Sequence, residues 1–92
     1  MKRVIWKYEL SAPGHAVTLD LSKSSRVIHV GLDATGKPCL WAEVEPECPQ
    51  NVPLVIMVIG TGWDISSDFQ VHLGTFVECG CVWHVYGGGE LP

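Results

Sequence analysis

The chain has no long apolar run, no basic stripe and no spaced pair of cysteines, and each absence removes a class of function. No stretch approaches the ~18 consecutive apolar residues that a membrane-spanning helix needs. Lys2 and Arg3 make a positive start, but Lys7 and Glu9 interrupt the apolar region that a secretory signal would carry next. A soluble intracellular protein is therefore expected, with its four cysteines kept as thiols. Charge is sparse: six basic residues stand against ten acidic ones, a net charge of −4. Lys2, Arg3 and Lys7 lie near the start, Lys23 and Arg26 flank one turn, and Lys37 is alone. A nucleic-acid binder shows a basic face, so direct DNA or RNA binding is not expected. The acidity is also too scattered for a nucleic-acid mimic.

Reactive clusters are missing too. Structural zinc sites draw on cysteine pairs with two to four residues between them. Here Cys79 and Cys81 have one residue between them across a turn, and Cys39 and Cys48 have eight. His15, His29, His72 and His84 fall on four different strands. The cysteines read as small hydrophobes, and neither a metal nor a cofactor is expected. A nucleophilic cysteine needs an electropositive setting, whereas Cys79 and Cys81 follow Glu78. No Gly-x-Ser-x-Gly, His-Glu-x-x-His or Cys-x-x-Cys motif occurs. No catalytic residue is assigned, and the chain reads as a non-enzyme.

What remains is β-forming sequence. Ninety-two residues make one domain, which buries only about 60–65% of its unfolded surface. That leaves no room for a buried cofactor. A hydrophobic content of 47% excludes general disorder. Residues 3–10 alternate, with Val4, Trp6, Tyr8 and Leu10 on one side. Residues 15–21 alternate again, with Val17, Leu19 and Leu21 inward. Residues 26–32 set Val27, His29 and Gly31 against Ile28, Val30 and Leu32. Period two with β-branched and aromatic residues marks half-buried strands.

Asp33-Ala34-Thr35-Gly36 reads as a hairpin loop in which Gly36 supplies a positive φ. The return strand carries Leu40, Ala42 and Val44 on one face. Residues 46–53 hold three prolines, so a loop is expected there, the longest of the chain. Leu54 to Ile59 is six consecutive large apolar residues, which calls for burial on both faces or for a partner. Residues 63–69 are ambiguous; Asp64 or Ser66 would cap a single helical turn. Residues 70–78 and 81–86 form a last hairpin with Cys79-Gly80 at its tip. Strict alternation puts Leu73, Thr75, Val77, Val82, His84 and Tyr86 on one face, and His72 on the other with Gly74, Phe76 and Trp83.

These signals predict an all-β fold of about seven strands, a small antiparallel β-sandwich or partly open barrel. Local connections favour a meander, and an exposed edge strand offers a route to a homodimer. Residues 1–86 form the single β domain, and residues 87–92 read as a flexible Gly-rich tail.

Two sets of residues carry the functional expectation. The chain has four Trp against two Phe and two Tyr, and Trp is over-represented at binding hot spots. Trp63, flanked by Gly62 and Asp64, is the one expected at a surface site. Gly60-Thr61-Gly62 reads first as a turn, and second as a backbone nest for an anion, with Trp63 beside it for stacking. The candidate binding residues are Gly60, Thr61, Gly62, Trp63 and Asp64, together with Trp41 and His84. Glu43 and Glu45 share an outward strand face and read as solvated.

The strings Ile5-Trp6-Lys7-Tyr8-Glu9-Leu10, Ile28-His29-Val30, Gly36-Lys37-Pro38-Cys39-Leu40-Trp41-Ala42, Gly60-Thr61-Gly62, Gly74-Thr75-Phe76 and Val82-Trp83-His84-Val85 resemble a family of small proteins from tailed phages and prophages. The resemblance spans roughly residues 4 to 86, and its most specific part is residues 37–42. It implies a bacterial host cytoplasm during infection and carries over no catalytic residue. The expected function is a phage accessory protein that binds a host or anti-phage-defence protein. The alternatives are capture of a small nucleotide-like anion near Gly60-Thr61-Gly62 and Trp63, and a structural role in the virion.

Overall fold

The computed structural model describes residues 2–88. Seven strands follow one another: β1 (Val4–Glu9), β2 (Ala16–Ser22), β3 (Arg26–Leu32), β4 (Pro38–Val44), β5 (Asn51–Gly60), β6 (Phe69–Glu78) and β7 (Cys81–Gly88). They form two antiparallel sheets, one ordered β1-β4-β3 and the other β2-β5-β7-β6. The fold is an all-β sandwich, as the alternation predicts. It is not a meander: only β3 with β4 and β6 with β7 are hairpin neighbours, while β1 reaches β4 and β2 reaches β5.

The inner faces meet in one core of Leu21, Val30, Leu40, Ala42, Val44, Ile56, Val58, Phe76 and Val85. Leu40, Ala42, Ile56 and Val85 are completely buried. Each such Val, Leu or Ile removed from water stabilises the fold by about 1.5–3 kcal/mol. Leu40, Ala42 and Val44 share the inner face of β4, and Leu21, Leu19 and Val17 line the inner face of β2.

Bulges break the strict alternation in β3 and β6. In β3 the register jumps between Val27 and His29, and Ile28 is the extra residue, 39% exposed. Val27, opposite Ala42, and Val30, opposite Leu40, then both face the core. In β6 the register jumps between His72 and Gly74 and again between Phe69 and Val71. Leu73 therefore packs on the core. His72, opposite Tyr86, joins the face of Thr75, Val77, Val82 and His84, the reverse of its sequence assignment.

The sheets close on one side and part on the other. At β3 and β6 they come so near that a Cβ on Gly74 would stand 2.7 Å from Cβ of Val30. At β1 and β2 they flank a cleft of about 260 Å³ lined by Trp6, Tyr8, Asp20 and Ser22 among others. Trp6 points inward by parity yet stays 49% exposed, because it lines that open cleft.

Three local expectations need correction. Pro53 lies inside β5, and the connection before that strand is only residues 45–50. Among the described residues, β7 pairs β5 only from Val55 onward, so at Pro53 the strand is bonded on the β2 side alone. A proline is tolerated on such a half-paired edge. The longest connection is residues 61–68, which contains turns and no helix; Ser66 accepts a bond from Phe69 N across one of them. Gly87 and Gly88 continue β7 opposite Ile56 and Val55 and are no part of a tail. Residues 89–92 lie outside the described residues.

Candidate binding face

The outer faces of the two sheets differ in charge. That of β1, β4 and β3 carries Lys7, Glu9, Glu43 and Arg26. Arg3 and Arg26 pair with Glu43 at 3.3 and 3.4 Å, and Lys37 with Glu9 at 3.7 Å. Such exposed pairs contribute little to stability, and they mark a solvated surface. The outer face of β5, β7 and β6 presents Met57, Val82, His84, Tyr86, His72, Thr75 and Val77 around a buried Ile59, with no Lys, Arg, Asp or Glu among them. Val77 and Val82, paired across the hairpin, are 61% and 41% exposed. The two-faced run of β5 is explained in part: Ile56 and Val58 fill the core, while Met57 and Ile59 belong to this outer face.

A hydrogen-bonded chain crosses that face. Thr61 Oγ1 donates to the Val82 carbonyl at 3.4 Å and accepts from His84 Nε2 at 2.8 Å. A carbonyl only accepts, so a Thr61 proton turned to it makes His84 Nε2 the donor, the tautomer with the proton on Nε2. His84 Nδ1 then accepts from Thr75 Oγ1 at 3.2 Å, and Thr75 Oγ1 accepts from His72 Nε2 at 3.0 Å. The His72 ring meets Tyr86 edge-on at 5.3 Å. Both nitrogens of His84 are held, which fixes its ring on the sheet.

Trp63 stands beyond the end of β5, against Gly60 and Trp83, which share the inward parity of Val58 and Val85 rather than that of His84. The Gly60 carbonyl accepts from Trp63 N at 3.1 Å, and Gly62 has φ of 89°. That is a type II turn, which needs glycine at its third position. The turn folds the Trp63 ring back over Gly60, where a Cβ would lie 2.8 Å from Cε2. Trp63 also meets Trp83 edge-on at 5.8 Å and remains 49% exposed. On either side of it lie two open clefts, one of about 220 Å³ with Ile59, Ile65, His84 and Tyr86, the other of about 240 Å³ with Cys81, Val82 and Trp83.

Gly60, Thr61, Gly62, Trp63 and His84 are thus brought together. Asp64 follows in the exposed stretch after Trp63. Trp41 is not brought to them: it lies on the outer face of the other sheet, 5.3 Å from His29. Sequence reasoning missed His72, Thr75 and Tyr86. The available signal was Gly74, since an isolated glycine in a strand marks a bulge or a close approach.

A second polar cluster is structural. Asp33 Oδ1 accepts from Thr35 N, Thr35 Oγ1 and Lys37 N at 2.8, 2.7 and 3.0 Å. Its Oδ2 takes Lys7 Nζ at 3.0 Å and lies 3.7 Å from the Cys39 thiol. The Thr35 hydroxyl, the Lys37 amide and the Lys7 ammonium hold the Asp33 carboxyl far below the usual carboxylate range. The bond to Asp33 raises Lys7, and burial pushes the Cys39 thiol up. Asp33 so fastens the β3–β4 hairpin to β1. Among the described residues, no three His, Cys, Asp or Glu side chains stand together as a metal would need, and no helix is long and apolar enough to cross a membrane.

These features define a small two-sheet antiparallel β-sandwich with one ion-paired outer face and one whose β5, β7 and β6 part carries no charge among the described residues. The chain belongs to the family described as a domain of unknown function, DUF7352, whose model matches residues 1–91. No curated protein matches the chain, and no solved structure does.

Proposed function

We propose that the chain is a non-enzymatic phage accessory protein that acts by binding a host or anti-phage-defence protein in the bacterial cytoplasm. The surface it uses is the outer face of β5, β7 and β6. The observation that carries this reading is that, among the described residues, that face has no Lys, Arg, Asp or Glu side chain, beside an opposite face laced with ion pairs. Desolvating an uncharged face costs little, and the cores of protein interfaces are depleted of charge. The His72-Thr75-His84-Thr61 chain adds a fixed polar pattern for register. The phage setting rests on the sequence resemblance alone.

Capture of a small anion has less support. No Lys or Arg lines either cleft beside Trp63, and both are smaller than the ~300–1,000 Å³ of ordinary ligand pockets. The Gly60-Thr61-Gly62 turn is accounted for by the seat it makes for Trp63.

The test compares tagged wild type with a Val77→Glu, Val82→Glu double variant, each purified gently from bacterial lysate and weighed by native mass spectrometry. The expected result is a stoichiometric host protein on the wild type, absent from a folded variant. A homo-oligomer lost in the variant would instead make the partner a second copy. A wild-type monomer with nothing bound, or a complex that survives both substitutions, would overturn the reading.

A further inference from the structure

The four cysteines divide into two kinds. Cys39 is buried and its thiol points at Asp33; Cys48 is half-buried and its thiol donates to the Gln50 carbonyl at 3.2 Å. Cys79 and Cys81 are both exposed, at the tip of the β6–β7 hairpin. In that tip Cys79 has φ of 53° and Gly80 φ of 75°, the pattern of a type I′ turn. Asn, Asp or Gly ordinarily fill its first central position. Cys79 is the one non-glycine residue at positive φ among the described residues, so a side chain poorly suited to the backbone occupies the place. With the intervening glycine in the left-handed region, helical geometry sets the two flanking Cα atoms about 5.4 Å apart. A disulfide needs about 4.4–6.8 Å.

We propose that Cys79 and Cys81 are a redox pair that closes to an intramolecular disulfide by exchange with a small-molecule disulfide such as oxidised glutathione. One protein thiolate attacks a sulfur of oxidised glutathione. That disulfide breaks, one glutathione thiolate leaves, and a mixed disulfide forms. The second protein thiolate attacks the protein sulfur of the mixed disulfide and expels the second glutathione. Two protein thiols are oxidised, one disulfide is reduced, and the two protons end on the released thiols. An exposed pair in a tight turn belongs to the labile class of disulfide. Cys81 lines the cleft with Trp63 and Trp83, so closure alters one wall of that cleft. The proposal rests on the hairpin alone and does not depend on the binding reading.

The experiment equilibrates the whole chain with graded mixtures of reduced and oxidised glutathione, quenches with acid, alkylates under denaturing conditions and weighs intact protein and peptides. Expected is a species lighter by two hydrogens, protected from alkylation at Cys79 and Cys81, with Cys39 and Cys48 alkylated. Cys79→Ser and Cys81→Ser should each instead hold one glutathione on the remaining thiol. Wild type that carries two glutathiones, that links to a second copy through these cysteines, or that stays reduced where the single variants are modified would overturn the proposal.

Discussion

Gly74 of β6 faces Val30 of β3 so closely that a Cβ at residue 74 would stand 2.7 Å from Cβ and 2.8 Å from Cγ2 of Val30. The backbone there is not in the left-handed region, so sterics alone demand glycine. The opposing atoms belong to a stiff β-branched side chain 5% exposed in the core, which has little freedom to give way. Gly74→Ala should therefore destabilise by about 1–3 kcal/mol, as overpacking does, read as a lower urea midpoint. Val30→Ala beside it should recover part of the loss caused by Gly74→Ala. If Gly74→Ala alone unfolds at the wild-type midpoint, the two sheets do not meet at this point.

Asp33 sets a pH dependence. Its carboxyl is held below its unfolded value by Thr35, Lys37 and Lys7, so the native state favours the charged form. Its stabilising effect is complete above the unfolded pKa of about 3.9 and is lost as pH falls from there toward the folded value. Asp33→Asn keeps the shape and removes the charge. The variant should be less stable than wild type at pH 7, and the gap should narrow below about pH 4. Equal midpoints at pH 7 would mean the hairpin does not rely on the carboxylate.

The Thr75 hydroxyl connects His72 with His84. Thr75→Val preserves shape and β-branching but removes the link, and a loss of about 1 kcal/mol is expected for a partly exposed bond. The diagnostic readout is the imidazole nitrogen spectrum of His84. Wild type should show the proton on Nε2 and an accepting Nδ1, and the variant a mixture of tautomers. The same tautomer pattern in both would break the hydrogen-bonded chain at Thr75.

Much of the fold was legible because it is written locally. Leu40, Ala42 and Val44 alternate without interruption and are the inner face of β4. Gly36 at φ 86° and Gly80 at φ 75° fall in the expected hairpin tips. What was not legible depends on the partner strand. Whether Ile28 and Leu73 take part in the ladder or bulge out of it is decided by β4 and β7, and one extra residue moves every later side chain to the other face. That is why His72 was assigned away from Thr75 and His84. Pro53 reads as loop from its residue type alone, while its place in β5 is set by the pairing of Asp20 in β2 opposite it. Trp6 keeps inward parity but lies at the parted edge, a matter of strand order alone. Trp41 and Trp63 look alike in the sequence, and only the fold puts one on the three-stranded sheet and the other in the connection beside the four-stranded one.

Gly60 and Trp63 offer the last test, because the sign of one substitution should reverse with its background. The φ of Gly60 is not positive, so alanine there meets no backbone penalty and removes freedom from the unfolded chain, a gain of about 0.4–1 kcal/mol. In the wild type that gain is outweighed, since the new Cβ would lie 2.8 Å and 2.9 Å from Cε2 and Nε1 of Trp63. The indole has no flexible end to withdraw, so it must leave its seat and lose the edge contact with Trp83. Gly60→Ala should thus lower stability by about 1–2 kcal/mol, within the range for overpacking, and shift the tryptophan emission to the red. In a Trp63→Ala background the same substitution should be neutral or stabilising. The coupling of the two, measured as a double-mutant cycle, should exceed about 0.5 kcal/mol, the level that separates neighbours from independent sites. Additive effects would mean that Trp63 does not rest on Gly60, and the glycine-rich turn would regain its claim as a site for something other than its own tryptophan.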